Sequence, residues 1–330
     1  MKAIGVINGI LQDIDLPSPQ AGARDLVVKV EAVSVNPIDH KMRGAAPDGD
    51  GPRVLGWDVA GVVAAVGAET KLFKVGDQVF YAGSLTRQGA NSEYHVVDER
   101  IVGRMPATLG FEQAAALPLT SITAWEALFE RLGVSSEGAD QGKSVLIIGG
   151  AGGVGSIAIQ LAKKLARLTV VATASRAQSA AWCKTLGADH VIDHNGDMLA
   201  QLAALGLPTV DFILCLNETD KHFAAMAAAI APQGKICSIV QNVGPLAVEE
   251  LFTKSATLVY ELMFTRSMFG TADMVEQHQL LDKVARLVDE GVLVTTLGES
   301  YGAINAANIA RGHATLEGRR AIGKIVLSGF

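Results

Sequence analysis

Residues 144–156 read Ser144-Val-Leu-Ile-Ile-Gly-Gly-Ala-Gly-Gly-Val-Gly-Ser156, a β-branched run that leads through glycines into an apolar segment of helix length. Gly150, Gly152 and Gly155 have the spacing of the turn that binds phosphate in dinucleotide-binding proteins. In that turn Gly150 permits the tight bend, Gly152 lets the backbone approach a pyrophosphate, and Gly155 allows the helix to pack closely on the strand.

The same turn brings backbone N–H groups to the positive end of a helix, which favours a bound anion. We expect Gly153 and Val154, which lie between the spaced glycines, to take part in this binding. The alternative is a glycine-rich turn that does no more than pack against a sheet.

Downstream of this turn, apolar strand-like runs alternate with Ala- and Leu-rich segments of helix length. The strand-like runs are Ser144–Gly149, Thr169–Ala172, His190–Ile192, Val210–Leu214 and Lys235–Val240. This alternation predicts right-handed crossovers and a doubly wound parallel sheet, an α/β fold. The first third of the chain instead has β-branched runs punctuated by Gly, Pro and Asp, which predicts an antiparallel β domain.

The end of the second strand-like run decides which dinucleotide is expected, because an acidic residue there binds the ribose hydroxyls of NAD. The sequence has Ala172-Thr-Ala-Ser-Arg176 and no acid. Ser175 can donate to a 2′-phosphate and Arg176 can meet it with a planar guanidinium, so the sequence favours NADPH as the cofactor. The alternative for Arg176 is a solvated residue at the start of a helix.

Length and composition bound the remaining possibilities. The chain has 330 residues, which predicts two domains, and its 49% hydrophobic and 19% charged residues predict a globular protein. A net charge of −6 argues against a nucleic-acid partner. Three scattered cysteines give no disulfide framework, the first residues lack a signal pattern, and the uncharged stretch Ser144–Ala162 contains five glycines. We therefore expect a cytoplasmic protein with no membrane partner.

An ordered set of motifs links the chain to a known superfamily. Gly56-Trp-Asp-Val-Ala-Gly61, Val75-Gly-Asp77, Ala115-Ala-Leu-Pro-Leu-Thr120 and the glycine turn together resemble the medium-chain dehydrogenase/reductase superfamily. Asn36-Pro-Ile-Asp39 is similar to its quinone oxidoreductase branch, and the C-terminal segment is similar to that of zinc-type alcohol dehydrogenase-like members. The resemblance covers essentially the whole length.

The resemblance implies a GroES-like β-rich catalytic domain and a Rossmann domain with a doubly wound parallel sheet. We expect the GroES-like domain over residues 1–118, the Rossmann domain over 119–266, and a return to the catalytic domain over 267–330. It also implies NADPH as the cofactor and a homodimer, often formed by edge pairing of the last Rossmann strand, for which Thr257–Met263 is the candidate.

The zinc-dependent relatives would place metal ligands at positions that this chain fills differently. Their two cysteines and one histidine correspond to Asn36, Leu117 and Trp57, respectively. An amide, an alkyl group and an indole do not supply the thiolate and imidazole donors that catalytic zinc needs. The sequence therefore predicts no catalytic metal.

Without a metal, the easier reaction is hydride addition to an activated C=C bond, which leaves negative charge on the carbonyl oxygen. Donors near that oxygen would supply the catalysis, and Asn36 and Lys41 are the candidates, on a loop that faces the nicotinamide in the superfamily. The alternatives are a solvated Lys41 and an Asn36 that fixes a turn through its own side chain.

Further cofactor contacts are expected from five residues. The resemblance places Thr120 and Thr123 near the nicotinamide ribose, although both could instead cap a helix. Asn217 and Val240 follow strand-like runs at the carboxyl edge of the sheet, which usually faces the ligand, with Asn217 near the adenine ribose and Val240 near the nicotinamide. Phe264 begins a segment that approaches either the carboxamide or the dimer interface.

The sequence thus predicts an NADPH-dependent, zinc-independent oxidoreductase that transfers hydride to an enone or a quinone. Two alternatives stay open. One is a zinc-dependent alcohol dehydrogenase, and the other is a non-catalytic NADPH-binding protein.

Overall fold

The computed structural model describes residues 1–44 and 51–330. The chain divides into two compact units, of which one comprises Met1–Ile122 with Phe264–Phe330 and the other comprises Thr123–Met263. Within the described ranges, no helix combines the length and the apolar character needed to cross a membrane.

The strands and helices follow one another along the chain with short connections. The strands are β1 (Lys2–Ile7), β2 (Ile10–Asp15), β3 (Asp25–Ser34), β4 (Arg53–Val54), β5 (Val59–Val66), β6 (Gln78–Tyr81), β7 (Tyr94–Asp98), β8 (Val102–Arg104), β9 (Ser144–Ile148), β10 (Thr169–Thr173), β11 (His190–Ile192), β12 (Val210–Cys215), β13 (Ile230–Ser238), β14 (Thr257–Tyr260), β15 (Leu297–Ser300) and β16 (Lys324–Ser328). The α-helices are α1 (Pro37–Gly44), α2 (Phe111–Ala115), α3 (Pro118–Trp125), α4 (Gly153–Lys164), α5 (Ala177–Thr185), α6 (Met198–Ala204), α7 (Thr219–Ala229), α8 (Thr265–Phe269), α9 (Glu276–Asp289) and α10 (Ala306–Glu317). A π-helix spans Glu126–Arg131, and 3₁₀-helices span Glu99–Ile101 and Val248–Lys254.

The unit of residues 123–263, all of which the structure describes, is built on one parallel sheet. Its strand order is β11-β10-β9-β12-β13-β14. Every residue of β9 is buried, as expected of a parallel strand that has helices on both faces. Counted from β9, this order is 3-2-1-4-5-6, so the winding direction reverses between β9 and β12.

The other unit is rich in β-structure and is built from both parts of the chain that surround the parallel sheet. Its central strand β3 pairs antiparallel with β5 and β7, and also with β16 from the C-terminal segment. Strands β2, β1 and β4 form a smaller sheet. Trp57, Phe80 and Tyr81 are among its largest fully buried side chains. The predicted fold class, a β-rich domain plus a doubly wound parallel-sheet domain, is confirmed.

Candidate functional site

The glycine turn lies where the parallel sheet reverses its winding. Strand β9 ends at Ile148, and α4 begins at Gly153 after Gly152 as its cap residue. The Gly149 N–H donates to the Thr173 hydroxyl over 3.0 Å, and the Gly150 N–H donates to the Thr173 carbonyl over 3.1 Å. These bonds hold the turn against the end of β10.

Gly149 and Gly150 serve the tight bend in different ways. Gly149 has a φ of +91°, which is in the left-handed region that favours glycine. Gly150 is needed for a different reason, because a Cβ on it would lie 2.8 Å from the Ala172 Cβ. The left-handed backbone thus lies one residue before Gly150, which itself lies inside the turn that the Gly152 N–H closes by donating to the Gly149 carbonyl over 3.2 Å.

The other two spaced glycines differ sharply in how much room they have. A Cβ on Gly155 would lie 2.5 Å from the carbonyl oxygens of Gly149 and Gly150, so only glycine lets α4 approach the turn this closely. A Cβ on Gly152 would meet nothing nearer than the Gly149 oxygen at 3.5 Å, an ordinary contact. Packing thus explains Gly155, whereas the protein's own packing does not require glycine at position 152.

Asn217 lies beside the turn, at the end of the strand on the other side of the reversal point. A Cβ on Gly149 would lie 3.6 Å from the Asn217 amide group. The Asn217 Oδ1 is shielded from solvent and has no hydrogen-bond partner among the described residues. The backbone carbonyl of Asn217 accepts from the Cys215 thiol over 3.1 Å, which fixes the loop. The arrangement leaves an amide acceptor next to the glycine turn.

Ser175 and Arg176 are exposed just beyond the carboxyl end of β10. Arg176 is the cap residue of α5, and its backbone N–H donates to the Ser179 hydroxyl over 3.2 Å. Both residues therefore follow the strand next to β9, at the same edge of the sheet as the glycine turn.

The remaining predicted cofactor residues have different surroundings. The Thr120 hydroxyl lies in the first turn of α3 and donates to the Leu117 carbonyl, three residues earlier, over 3.2 Å. Thr123 is buried, and Val240 follows β13. Phe264 is buried and meets the Trp57 ring edge-on at 6.4 Å between ring centroids.

A second group of polar residues is buried in the β-rich unit, and we call it the Asp58 cluster: Ser34, Asn36, Asp58 and Lys324. The Asp58 Oδ2 accepts from the Ser34 hydroxyl over 2.7 Å and from the Asn36 amide over 3.1 Å, and it lies 3.0 Å from the Lys324 Nζ. Its Oδ1 accepts from the Leu119 N–H over 3.0 Å. Asp58 therefore connects the end of β3, the start of α3 and β16.

Lys324 is a buried ammonium with three acceptors. Besides Asp58, it donates to the Val35 carbonyl over 3.1 Å and to the Asn36 Oδ1. Its side chain is 4% exposed, and that of Asp58 is fully buried. This pair was not predicted from the sequence, in which the signals were an Asp inside Gly56–Gly61 and a lysine that begins an apolar strand.

The two predicted catalytic residues have opposite environments. The Asn36 side chain is buried, donates to Asp58 and to the Ser34 carbonyl over 3.4 Å, and accepts from Lys324. Lys41 is exposed on α1. The polar atoms of Asn36 are thus already engaged within the protein, which favours a positioning role for its amide.

Asp39 is a second buried carboxyl in the first turn of α1. Its Oδ2 accepts from the Asn36 N–H over 2.7 Å, whereas its Oδ1 has no partner within residues 1–44 and 51–330. Burial raises the pKa of the Asp39 carboxyl to about 7, against the lowering effects of the Asn36 N–H and the Lys324 ammonium. The folded protein therefore holds this proton to a higher pH than the unfolded chain does.

The difference between the Asp39 pKa in the folded protein and in the unfolded chain makes stability depend on pH. We predict that Asp39→Asn removes this contribution. Because the unfolded carboxyl ionises near its ordinary pKa, Asp39 should make the wild type lose stability as pH rises from about 4 to about 7. The Asn variant keeps an uncharged group there, so its free energy of unfolding should improve relative to wild type across that range. Urea unfolding at several pH values measures the difference, and a difference independent of pH would contradict the prediction.

The donor chemistry of the described residues does not fit a zinc ion. Among the residues that the structure describes, no group of three or more His, Cys, Asp or Glu side chains is arranged to hold a metal. The Trp57 indole donates to the Ser84 carbonyl over 3.0 Å, and Leu117 is fully buried. The positions that would carry the ligands in zinc-dependent relatives therefore supply apolar or already engaged groups.

Two family models match the chain. The description "Zinc-binding dehydrogenase" matches residues 186–327, and "Alcohol dehydrogenase GroES-like domain" matches residues 22–116. A zinc-type alcohol dehydrogenase-like protein of Staphylococcus aureus is 41% identical over 94% of this chain and 92% of its own length. A chloroplast envelope quinone oxidoreductase homolog of Arabidopsis thaliana is 30% identical over 92% of each chain. A 2-methylene-furan-3-one reductase of Solanum lycopersicum is 38% identical over 60% of this chain and 52% of its own length.

Solved structures match over nearly the whole chain. A putative zinc-dependent alcohol dehydrogenase of Rhizobium etli has a TM-score of 0.96 and 50% identity, covering 100% of this chain and 98% of that one. An NAD-dependent alcohol dehydrogenase has a TM-score of 0.84 and 28% identity, with full coverage of both chains. An Escherichia coli quinone oxidoreductase complexed with NADPH has a TM-score of 0.84 and 25% identity, covering 99% of this chain and 100% of that one.

Proposed function

We propose that this chain, an oxidoreductase that belongs to the medium-chain dehydrogenase/reductase superfamily, uses NADPH as its reductant. The proposed reaction is reduction of the activated C=C bond of an enone or a quinone. The proposal takes the reaction to run without zinc, since the donor set of the described residues does not fit that ion.

The observation that carries the proposal is the position of the glycine turn at the reversal point of the parallel sheet. Ligands of open α/β sheets bind at the carboxyl ends of the strands where the strand order reverses. Gly149–Gly155 follows β9, and Asn217 follows β12, on the two sides of this point. The room at Gly152 and the unpaired Asn217 Oδ1 are what a pyrophosphate and a ribose hydroxyl would use.

The substrate class is proposed from the relatives and from the charge that the reaction creates. A 2-methylene-furan-3-one reductase, a quinone oxidoreductase and a quinone oxidoreductase homolog are among the proteins that match this chain. Bound NADPH would supply the hydride, and negative charge would then develop on the carbonyl oxygen of the substrate. We propose that Lys41 donates to that oxygen and that the Asp58 cluster fixes Asn36 at the start of α1.

A panel of acceptors tests the function. Purified protein should oxidise NADPH faster with enones and quinones than with saturated ketones, and a chelator should leave the rate unchanged. Stoichiometric zinc with chelator-sensitive alcohol oxidation would favour the zinc-dependent dehydrogenase instead. Tight NADPH binding with no turnover on any acceptor would favour the non-catalytic binding protein.

The choice of NADPH over NADH is tested by Arg176→Ala. If Arg176 meets the 2′-phosphate, the loss of a charge-assisted hydrogen bond should raise the dissociation constant for NADPH about 10- to 100-fold and leave that for NADH within about twofold. Titration of both dinucleotides by fluorescence measures the two constants.

Lys164→Ala is the matched control for Arg176→Ala, because it removes an equal charge from an exposed position on α4. It should change neither constant. An equal loss of NADPH and NADH binding in Arg176→Ala would contradict the phosphate role.

A further inference from the structure

Val240 has both of its backbone polar groups bound by buried hydroxyls. Its N–H donates to the Ser238 hydroxyl over 3.2 Å, and its carbonyl lies within hydrogen-bond distance of two hydroxyls, that of Thr219 at 2.6 Å and that of Ser238 at 3.1 Å. The two hydroxyls lie 2.6 Å from each other. When the Ser238 hydroxyl donates to the Thr219 oxygen, three hydrogen bonds form a closed ring. They run from the Val240 N–H to Ser238, from Ser238 to Thr219, and from Thr219 back to the Val240 carbonyl.

The hydroxyl ring, by which we mean Thr219, Ser238 and the backbone of Val240, has two fully buried side chains and a half-buried Val240. Thr219 and Ser238 both have 0% exposure. Hydrogen bonds in such an environment are stronger than in water and strengthen one another around a chain of donors. The ring therefore holds the backbone that follows β13 in a single arrangement.

The ring also ties that backbone to the loop after β12. Thr219 is the first residue of α7, and the loop before it contains Asn217, whose carbonyl accepts from the Cys215 thiol. The Ile239 N–H donates to the Cys215 carbonyl over 3.1 Å, and the Leu216 N–H donates to the Ile148 carbonyl over 3.1 Å. The ends of β9, β12 and β13 are thus connected at the edge of the sheet where the glycine turn lies.

We infer that Thr219 and Ser238 are positioning residues for the cofactor, because the hydroxyl ring fixes how the loops after β12 and β13 face the bound dinucleotide. The inference rests on the proposed function. Since the Val240 N–H is bound to Ser238 and both hydroxyls lie on its carbonyl, we expect Val240 to present its apolar side chain to the dinucleotide. Neither hydroxyl touches the cofactor in this proposal, so both act through Asn217 and Val240.

Thr219→Val tests the inference, because it keeps the shape of the side chain and removes its hydroxyl. The dissociation constant for NADPH should rise about tenfold, since the Val240 carbonyl loses its shortest hydrogen bond. Thr219→Ser restores the hydroxyl and should bind NADPH within about twofold of wild type. Ser238→Ala breaks the ring at a second point and should weaken binding to a similar degree.

Ser144→Ala is the matched control. Ser144 begins β9 at the opposite edge of the same sheet, is 5% exposed, and donates its hydroxyl to Asp211 over 2.9 Å. Its loss should lower the thermal midpoint about as much as Thr219→Val does, with NADPH affinity unchanged. Comparison of affinity with thermal midpoint thus separates a positioning role from a structural one.

The results discriminate between the inference and the function on which it rests. If Thr219→Val and Ser238→Ala lose no more affinity than Ser144→Ala, or if Thr219→Ser fails to restore binding, the positioning role is wrong while the function stands. If the wild type itself binds neither NADPH nor NADH, the proposed function is wrong and the inference falls with it.

Discussion

Gly152→Ala should abolish dinucleotide binding and leave the protein folded. The added methyl group would meet nothing nearer than the Gly149 oxygen at 3.5 Å, so the chain can accept it. A pyrophosphate that approaches the backbone of the turn would meet that methyl group directly, and we expect the dissociation constant for NADPH to rise at least about 100-fold. Fluorescence titration measures the affinity, and circular dichroism with a thermal midpoint checks the fold.

Gly155→Ala is the contrasting variant in the same turn. Its methyl group would lie 2.5 Å from two backbone carbonyl oxygens, so α4 must shift away from the turn. We expect this variant to lose stability as well as binding, because backbone atoms cannot move aside as a flexible side chain does. If Gly152→Ala bound NADPH as well as wild type does, the placement of the pyrophosphate at this turn would be wrong.

Lys324→Met should cost about 3–5 kcal/mol of the free energy of unfolding, because it leaves a buried carboxylate without its cation. Methionine has nearly the length of lysine and no charge, so the loss reports the ammonium more than the packing. Asp58 keeps its bonds from Ser34, Asn36 and Leu119, but it loses the ion pair with Lys324 that the described residues give it. Urea unfolding at neutral pH measures the change.

The double variant Lys324→Met with Asp58→Asn is the control for this interpretation. Asparagine keeps an oxygen acceptor and removes the charge that lysine neutralised. The double variant should therefore lose less stability than the sum of the two single changes. Strict additivity would show that Lys324 and Asp58 do not stabilise the fold as a pair.

The sequence predicted those parts of the molecule whose signals are local. A β-branched strand, a glycine turn and an apolar helix follow one another within residues 144–164, and the structure has them as β9, the turn and α4. The left-handed backbone at Gly149 could not be predicted from the spacing, because Gly149 lies outside the pattern of Gly150, Gly152 and Gly155 and only the backbone conformation identifies it.

The Asp58 cluster could not be predicted from the sequence, and the reason is physical. Asn36 and Lys324 are 288 positions apart in the chain, and no spacing rule connects them. A lysine that begins a strand is most often solvated, and its burial here follows from the pairing of β16 with β3. For the same reason, the sequence pointed to Asn36 as a donor for the substrate, although its amide is engaged by Asp58 and Lys324.

The pairing of β3 with β16 sets an order for folding during synthesis. The ribosome completes β3 long before β16, and residues 123–263 emerge between them. The parallel-sheet unit is continuous in sequence and can begin to fold as soon as it emerges, as domains generally do. The nascent β-rich unit meanwhile carries an open strand edge and an Asp58 without its counter-ion, and it is then that we expect this protein to depend most on chaperones.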